Sequence, residues 1–211
     1  MLIYSSTITP RLQYITDFSG KEVIGKPFEL TMDLRYFQQY SDAKINYSAA
    51  RITTEEFWLR PHSLLFEDKI AEQHIECFDA HGEKAFFKVD GDFPFDIFAA
   101  SFYLLSRYEE YLPHQKDMYG RYAHENSLAF KEGFLHLPLI NIWLQHFKEK
   151  LNEKFTSFTT HHSQFTFLPT YDIDEAYSYK HKEWWRSAGA AVKDLLKGKW
   201  DKFSLRRKVL D

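Results

Sequence analysis

Residues 91 to 113, G-D-F-P-F-D-I-F-A-A-S-F-Y-L-L-S-R-Y-E-E-Y-L-P, constrain the fold more than any other stretch. From Ile97 to Leu105 the pattern is apolar on nearly every face, and a helix of that kind is stable only when other elements surround it. We therefore expect a buried helix here, with Asp96 as its N-cap and Pro113 as its stop. Its last turns, Arg107 to Tyr111, become polar together, so the helix is expected to emerge at a surface. Adjacent helical positions point about 100° apart, so Glu109 and Glu110 read as an ion-pair set with Arg107. An acid and base pair is the alternative.

The flanking chain supplies the elements that would bury such a helix. Leu2 to Ser5 reads as a short apolar strand, and Thr9-Pro10 as an N-cap and first-turn proline opening a helix that Gly20 or Gly25 would close. Phe28 to Met32 alternates like a strand. Asp33 caps a short helical turn carrying Leu34 and Phe37, and Ile45 to Ser48 is a third strand. Phe57 to Leu59 and the hairpin around His81-Gly82 add β-structure in the middle. Ile140, Trp143, Leu144, Phe147 and Leu151 recur at helical spacing after Pro138, with Gln145, Lys148, Glu149 and Lys150 opposite. The fold class is α/β, a mixed sheet flanked by helices with a β-hairpin-rich middle; α+β is the alternative.

A chain of 211 residues can bury one substantial core or two small ones. Its 20 Phe, 13 Tyr and 5 Trp either build that core or, in part, stand out for stacking on a ligand such as a sugar. The net charge of −3 hides an asymmetry, because residues 175–211 carry ten Lys and Arg against five Asp and Glu. We place a boundary there, with domains at 1–160 and 164–211. The basic end, which includes Trp184 and Trp185, spreads its charge along a helical pattern from Glu183 to Lys199, closed by Gly198. It reads as a solvated helix face, so no nucleic-acid partner is expected. An apolar face on that helix could seek a second copy, which makes a homo-oligomer an expectation. No run is long enough to span a bilayer and no signal peptide is visible. A single cysteine, Cys77, rules out an internal disulfide, and the expected compartment is the cytoplasm.

Few chemistries fit. The chain has no G-x-S-x-G elbow, no phosphate-cradling glycine loop, no kinase signature and no H-x-x-x-H pair. His74, Cys77 and His81 lack the paired spacing of a zinc site, so Cys77 reads as a small core residue between exposed histidines. In Gln164 to Tyr177, Q-F-T-F-L-P-T-Y-D-I-D-E-A-Y, a strand-like run ends in Asp172 and Asp174. Side chains two apart on an extended segment share a face, so the two carboxylates would project together. They form either a solvated turn, with Asp174 capping the next helix, or half of a site.

P-T-Y-D-I-D, after a phenylalanine-rich strand, resembles the first motif of the polysaccharide deacetylases, carbohydrate esterases of the nodulation-factor-deacetylase type. Upstream, I-T-P-R-L-Q-Y-I, K-I-N-Y-S, D-F-P-F-D-I-F-A-A-S-F-Y-L-L-S-R-Y-E-E-Y-L and H-E-N-S-L-A-F-K-E-G-F-L resemble an uncharacterised N-terminal domain that precedes such a deacetylase domain in bacterial proteins. The resemblance implies that Asp172 is the general base and Asp174 a ligand of a divalent metal, zinc by expectation, acting on acetyl groups of a carbohydrate substrate. The sequence departs from the motif set downstream, where His181 is the sole histidine after Asp174. The chain accordingly reads as an accessory domain followed by the first strand and helix of a truncated deacetylase barrel. It is expected to hold no metal tightly and to show no turnover alone. The rival reading is a non-catalytic glycan- or protein-binding module that uses exposed aromatics; burial of Tyr108, Tyr111 and Trp143 together would count against a stacking site.

Overall fold

The first strand of the chain, β1 (Leu2–Tyr4), lies inside a four-stranded parallel sheet of order β2-β1-β3-β4. Its neighbours are β2 (Glu29–Thr31) and β3 (Lys44–Asn46), with Leu2 opposite both Glu29 and Lys44; β4 (Phe57–Trp58) pairs with β3. Parallel neighbours require crossovers. Helix α1 (Pro10–Phe18) and a π-helical turn, Ser19–Ile24, supply the first, and α2 (Leu34–Gln39) the second. This is a computed structural model, and it describes residues 1–156, 167–172, 184–196, 198 and 200–201. By internal contacts the chain divides into two units, Met1–Ser163 and Gln164–Asp211.

The expected caps form. Thr9 accepts from the Leu12 N–H, Asp33 from those of Arg35 and Tyr36, and Asp96 from those of Phe98 and Ala99. Each oxygen satisfies a donor that the first helical turn leaves without a partner. The first helix passes Gly20 and ends at Gly25, which takes a left-handed φ of 79°. Gly20 is needed for a different reason, because a Cβ there would lie 2.7 Å from the Lys26 carbonyl oxygen.

Helix α3 (Ile97–Leu105) is buried from Ile97 through Tyr103, as its all-round apolar pattern requires. It stops at Leu105, however, well short of Pro113. Arg107 turns left-handed at φ 53° and ψ 44°, and Tyr108–Tyr111 form a separate 3₁₀ turn. Long-range bonds hold the break. The Tyr108 hydroxyl donates to the Ala71 carbonyl and accepts its N–H, at 3.1 and 2.9 Å.

Two further elements close the core. Strands β5 (Phe78–Ala80) and β6 (Glu83–Ala85) form the expected antiparallel hairpin, with His81 and Gly82 both at positive φ, as a tight two-residue turn demands. Helix α5 (Leu139–Lys154) buries Trp143, Leu144, Phe147 and Leu151. Lys148, expected on the solvent side, is buried too, and a lysine stem can line such a face. Phe147 meets Phe57, Phe93 and Phe98 edge-on. The Trp143 indole donates to the Lys84 carbonyl at 2.9 Å, which ties α5 to the hairpin. Among the described residues, fifteen Phe, Tyr and Trp side chains are buried in this packing.

Three buried charged side chains, Lys44, Glu56 and Asp96, are hydrogen-bonded. Lys44 donates to the Phe37, Gln38 and Tyr40 carbonyls, closing the C-terminal end of α2. Glu56 accepts from Asn46 and from the Ile52 and Thr53 N–H groups, which fixes the loop between β3 and β4. Asp96, besides capping α3, accepts from the Tyr47 hydroxyl and the His62 N–H, both at 2.6 Å. It joins three segments far apart in sequence.

In the second unit, α6 (Trp184–Leu196) forms as the spacing predicts, and Gly198 after it takes φ 66°. The strand expected before Asp172 does not appear in the described part, because 167–172 has no regular structure and Phe167, Leu168 and Tyr171 are exposed. A strand needs a ladder partner, and none pairs with this segment among the described residues. Among the described residues, no helix is long and apolar enough to cross a membrane.

Candidate functional site

Open parallel sheets usually bind ligands beyond the carboxyl ends of their strands, where the strand order reverses. In this sheet that point lies between β1 and β3, and the chain's own 3₁₀ turn Ser63–Phe66 covers the approach. Thr9 donates to the Leu65 carbonyl at 2.5 Å, while Arg11 donates to the carbonyls of Leu64 at 2.7 Å and Lys69 at 3.0 Å. Leu64 and Leu65 are fully buried. The usual crevice is sealed.

A cleft opens instead where α3 breaks. Its cavity of about 420 Å³ is lined by apolar residues, among them Leu104, Leu137 and Ile140, and by polar ones, among them Arg107, Glu109, Glu110, Tyr122 and His124. A second cavity of about 410 Å³ also touches Glu109 and Tyr122 and adds Tyr103, His114 and Lys131. Glu109 and Tyr122 therefore border both spaces. Volumes of this order suit a small ligand.

Local geometry sets each polar group. The left-handed turn at Arg107 brings its guanidinium onto the Glu110 carboxylate as an ion pair. A non-glycine residue in this region is uncommon and points toward function when it borders a cavity. The Glu109 carboxylate accepts from the Leu128 N–H at 2.7 Å and so holds the start of α4 (Leu128–Lys131). Burial raises its pKa, against the lowering effect of that N–H. Burial, helped by Glu109 and Glu110, pushes the Tyr122 phenol up to about 12, so it stays a neutral donor. His114 Nδ1 lies 2.8 Å from the Leu112 carbonyl oxygen; a carbonyl only accepts, so Nδ1 is the donor. Its ring stands 5.0 Å from that of Tyr122.

The loop beside the cleft is braced from within. Asn126 bonds Gln115 through both its N–H and its carbonyl, and Asp117 accepts from the Tyr119 and Arg121 N–H groups. Arg121 lies over the Tyr119 ring, 4.8 Å from its centroid. The tip presents Met118, 87% exposed, and Tyr119, 72% exposed. Tyr111, on the 3₁₀ turn that carries Glu109, is 67% exposed.

The sequence-derived candidates fall elsewhere. Asp172 is exposed, and Asp174 lies outside the described residues, as do His161, His162 and His181. His74 and His81 are exposed and Cys77 is half-buried; His74 faces Glu76, and His81 stacks on His146 at 5.2 Å. Burial pushes the Cys77 thiol up to about 11, away from nucleophile or thiolate-ligand chemistry at neutral pH. Among the described residues no group of three or more His, Cys, Asp or Glu could hold a metal ion. Of the three aromatics named for stacking, Tyr108 and Trp143 are buried and only Tyr111 is accessible. The reading missed Tyr122, His114 and His124, which sit in a polar stretch with turn signals.

The described structure defines a mixed α/β module with a covered crevice at the carboxyl ends of β1 and β3 and a cleft of mixed polarity at a helix break. The chain belongs to a family of unknown function (DUF7033), whose family model matches residues 1–156. No curated protein and no solved structure matches it.

Proposed function

We propose that residues 1–156 are a non-catalytic carbohydrate-binding module, the accessory region of a metal-dependent polysaccharide deacetylase-like protein. The cleft at Glu109 and Tyr122 carries this reading. A sugar ring has apolar C–H faces and a rim of hydroxyls, and the cleft is lined both by Leu104, Leu137 and Ile140 and by carboxylate, phenol and imidazole groups. Exposed Tyr111 offers a ring for stacking beside it. The deacetylase part of the proposal rests on the P-T-Y-D-I-D motif, with Asp172 as general base and Asp174 as metal ligand. A divalent metal finds no ligand set among the described residues, so no step of the binding function passes through one.

Titration of the chain with acetylated and deacetylated oligosaccharides, followed by nuclear magnetic resonance, tests the module. Saturable shifts at Tyr111, Tyr122 and Leu128 are expected, and their absence across both series would remove the reading. Incubation with acetylated oligosaccharide and added zinc is expected to release no acetate. Release would make this chain an enzyme in its own right.

A further inference from the structure

We infer that the binding site spans two consecutive sugar residues of a glycan chain, one ring in each of the two cavities that Glu109 and Tyr122 both border. The inference rests on the glycan reading of the cleft. The cavities, of about 420 and about 410 Å³, lie at the small end of ligand sites, a size for one ring and its substituents. Because Glu109 and Tyr122 line both spaces, the two lie within a side chain's reach of each other, which is the step from ring to ring along a glycan. Their linings differ. The first includes Leu104, Leu137 and Ile140, which suit the C–H face of a ring. The second draws more on polar groups, with Glu72, Gln73 and Lys131, which suit hydroxyls. The two shared groups serve the linkage. Glu109 spends Oε1 on the Leu128 N–H at 2.7 Å and keeps Oε2 for a ligand's donor, while the Tyr122 phenol, protonated at neutral pH, donates. Hydroxyls beside a glycosidic bond both donate and accept, so a carboxylate and a phenol at the same place match them. A single sugar fills half of this arrangement. A linked pair gains the second contact as an intramolecular step, and affinity rises with it.

The test is a nuclear magnetic resonance titration of the full chain with a hexosamine and its linear dimer and trimer, each in N-acetylated and free-amine form. The single sugar is expected to shift the amides of Ala129, Leu137 and Ile140, at the first cavity; the dimer should shift these and also Gln73, Ile75 and Leu112, at the second. In the series that binds, the dimer should be at least about tenfold tighter than the single sugar, and the trimer within about threefold of the dimer. Glu72→Ala plus Lys131→Ala, both at exposed positions of the second cavity, should bring the dimer down toward the affinity of the single sugar while the far-ultraviolet spectrum and melting temperature stay those of the parent. Four results would overturn the inference and leave the glycan reading standing: a dimer no tighter than the single sugar, a dimer that shifts one set of amides alone, a trimer about tenfold tighter than the dimer, or a double variant that binds the dimer as well as the parent does. Shifts from neither series would remove the glycan reading itself, and this inference with it.

Discussion

Asp96 and Glu109 are two carboxylates at opposite ends of the same α3 region, and burial raises the pKa of both. Asp96 is fully buried and takes four donors on its two oxygens, from Tyr47, His62, Phe98 and Ala99. Glu109 is partly open and takes one backbone donor, from Leu128. The difference separates architecture from recognition. A buried acceptor with every lone pair engaged has nothing left to offer a ligand, whereas one that borders two cavities keeps acceptor capacity to spend.

Asp96→Ala is expected to have the largest effect. It removes the α3 cap and leaves the Tyr47 hydroxyl and the His62 N–H without an acceptor, destabilising the fold by about 4 kcal/mol in urea unfolding. A loss below about 1 kcal/mol would mean that the hub is not structural.

The next largest is a pH effect. Burial holds the Asp96 carboxyl up to about 6 against the bonds it accepts, while the unfolded chain releases that proton near the ordinary carboxylate value. The native state thus binds more protons between those limits, and this group's contribution is present below them and is lost as pH rises through about 6. Relative to Asp96→Asn, the parent should lose about 2 kcal/mol between pH 4 and pH 7. Parallel pH profiles of the two proteins would contradict the assignment.

Lys44→Met tests whether another satisfied interior charge behaves like Asp96. Three carbonyls at the end of α2 would lose their donor, at about 2 kcal/mol, read as a lower denaturation midpoint with an unchanged slope. The smallest stability change belongs to Glu109→Gln, which keeps an acceptor for Leu128. Stability should move by less than about 0.5 kcal/mol while oligosaccharide affinity falls about tenfold, checked by calorimetry. A destabilisation above about 2 kcal/mol would collapse the comparison, placing Glu109 with the architecture.

What the sequence made legible follows the range of the interactions. Thr9, Asp33 and Asp96 were readable as caps because the oxygen and the N–H it accepts lie within three residues. The parallel sheet was readable as a class through the alternation of short strands and helices. The break at Arg107 was not, because R-Y-E-E-Y continues a helical pattern and the bonds that hold the turn run from Tyr108 to Ala71 and from Glu109 to Leu128. For the same reason the cleft escaped notice. Its walls come from α3, from Tyr122 and His124, and from α5, and only the fold brings them together. Asp172 and Asp174 are legible as a motif because they lie two residues apart, and that closeness in sequence says nothing about the cleft.

The central place of β1 has a consequence for how the protein is made. The strand leaves the ribosome ahead of its partners, because the neighbours on both its edges come from residues 29–31 and 44–46, and the turn that seals its end from residues 63–66. Arg11 waits for carbonyls 53 and 58 residues later in the chain. Synthesis therefore runs ahead of folding here. This apolar segment travels without a ladder until the middle of the module has emerged, which makes Leu2–Tyr4 a stretch that a nascent-chain chaperone would meet.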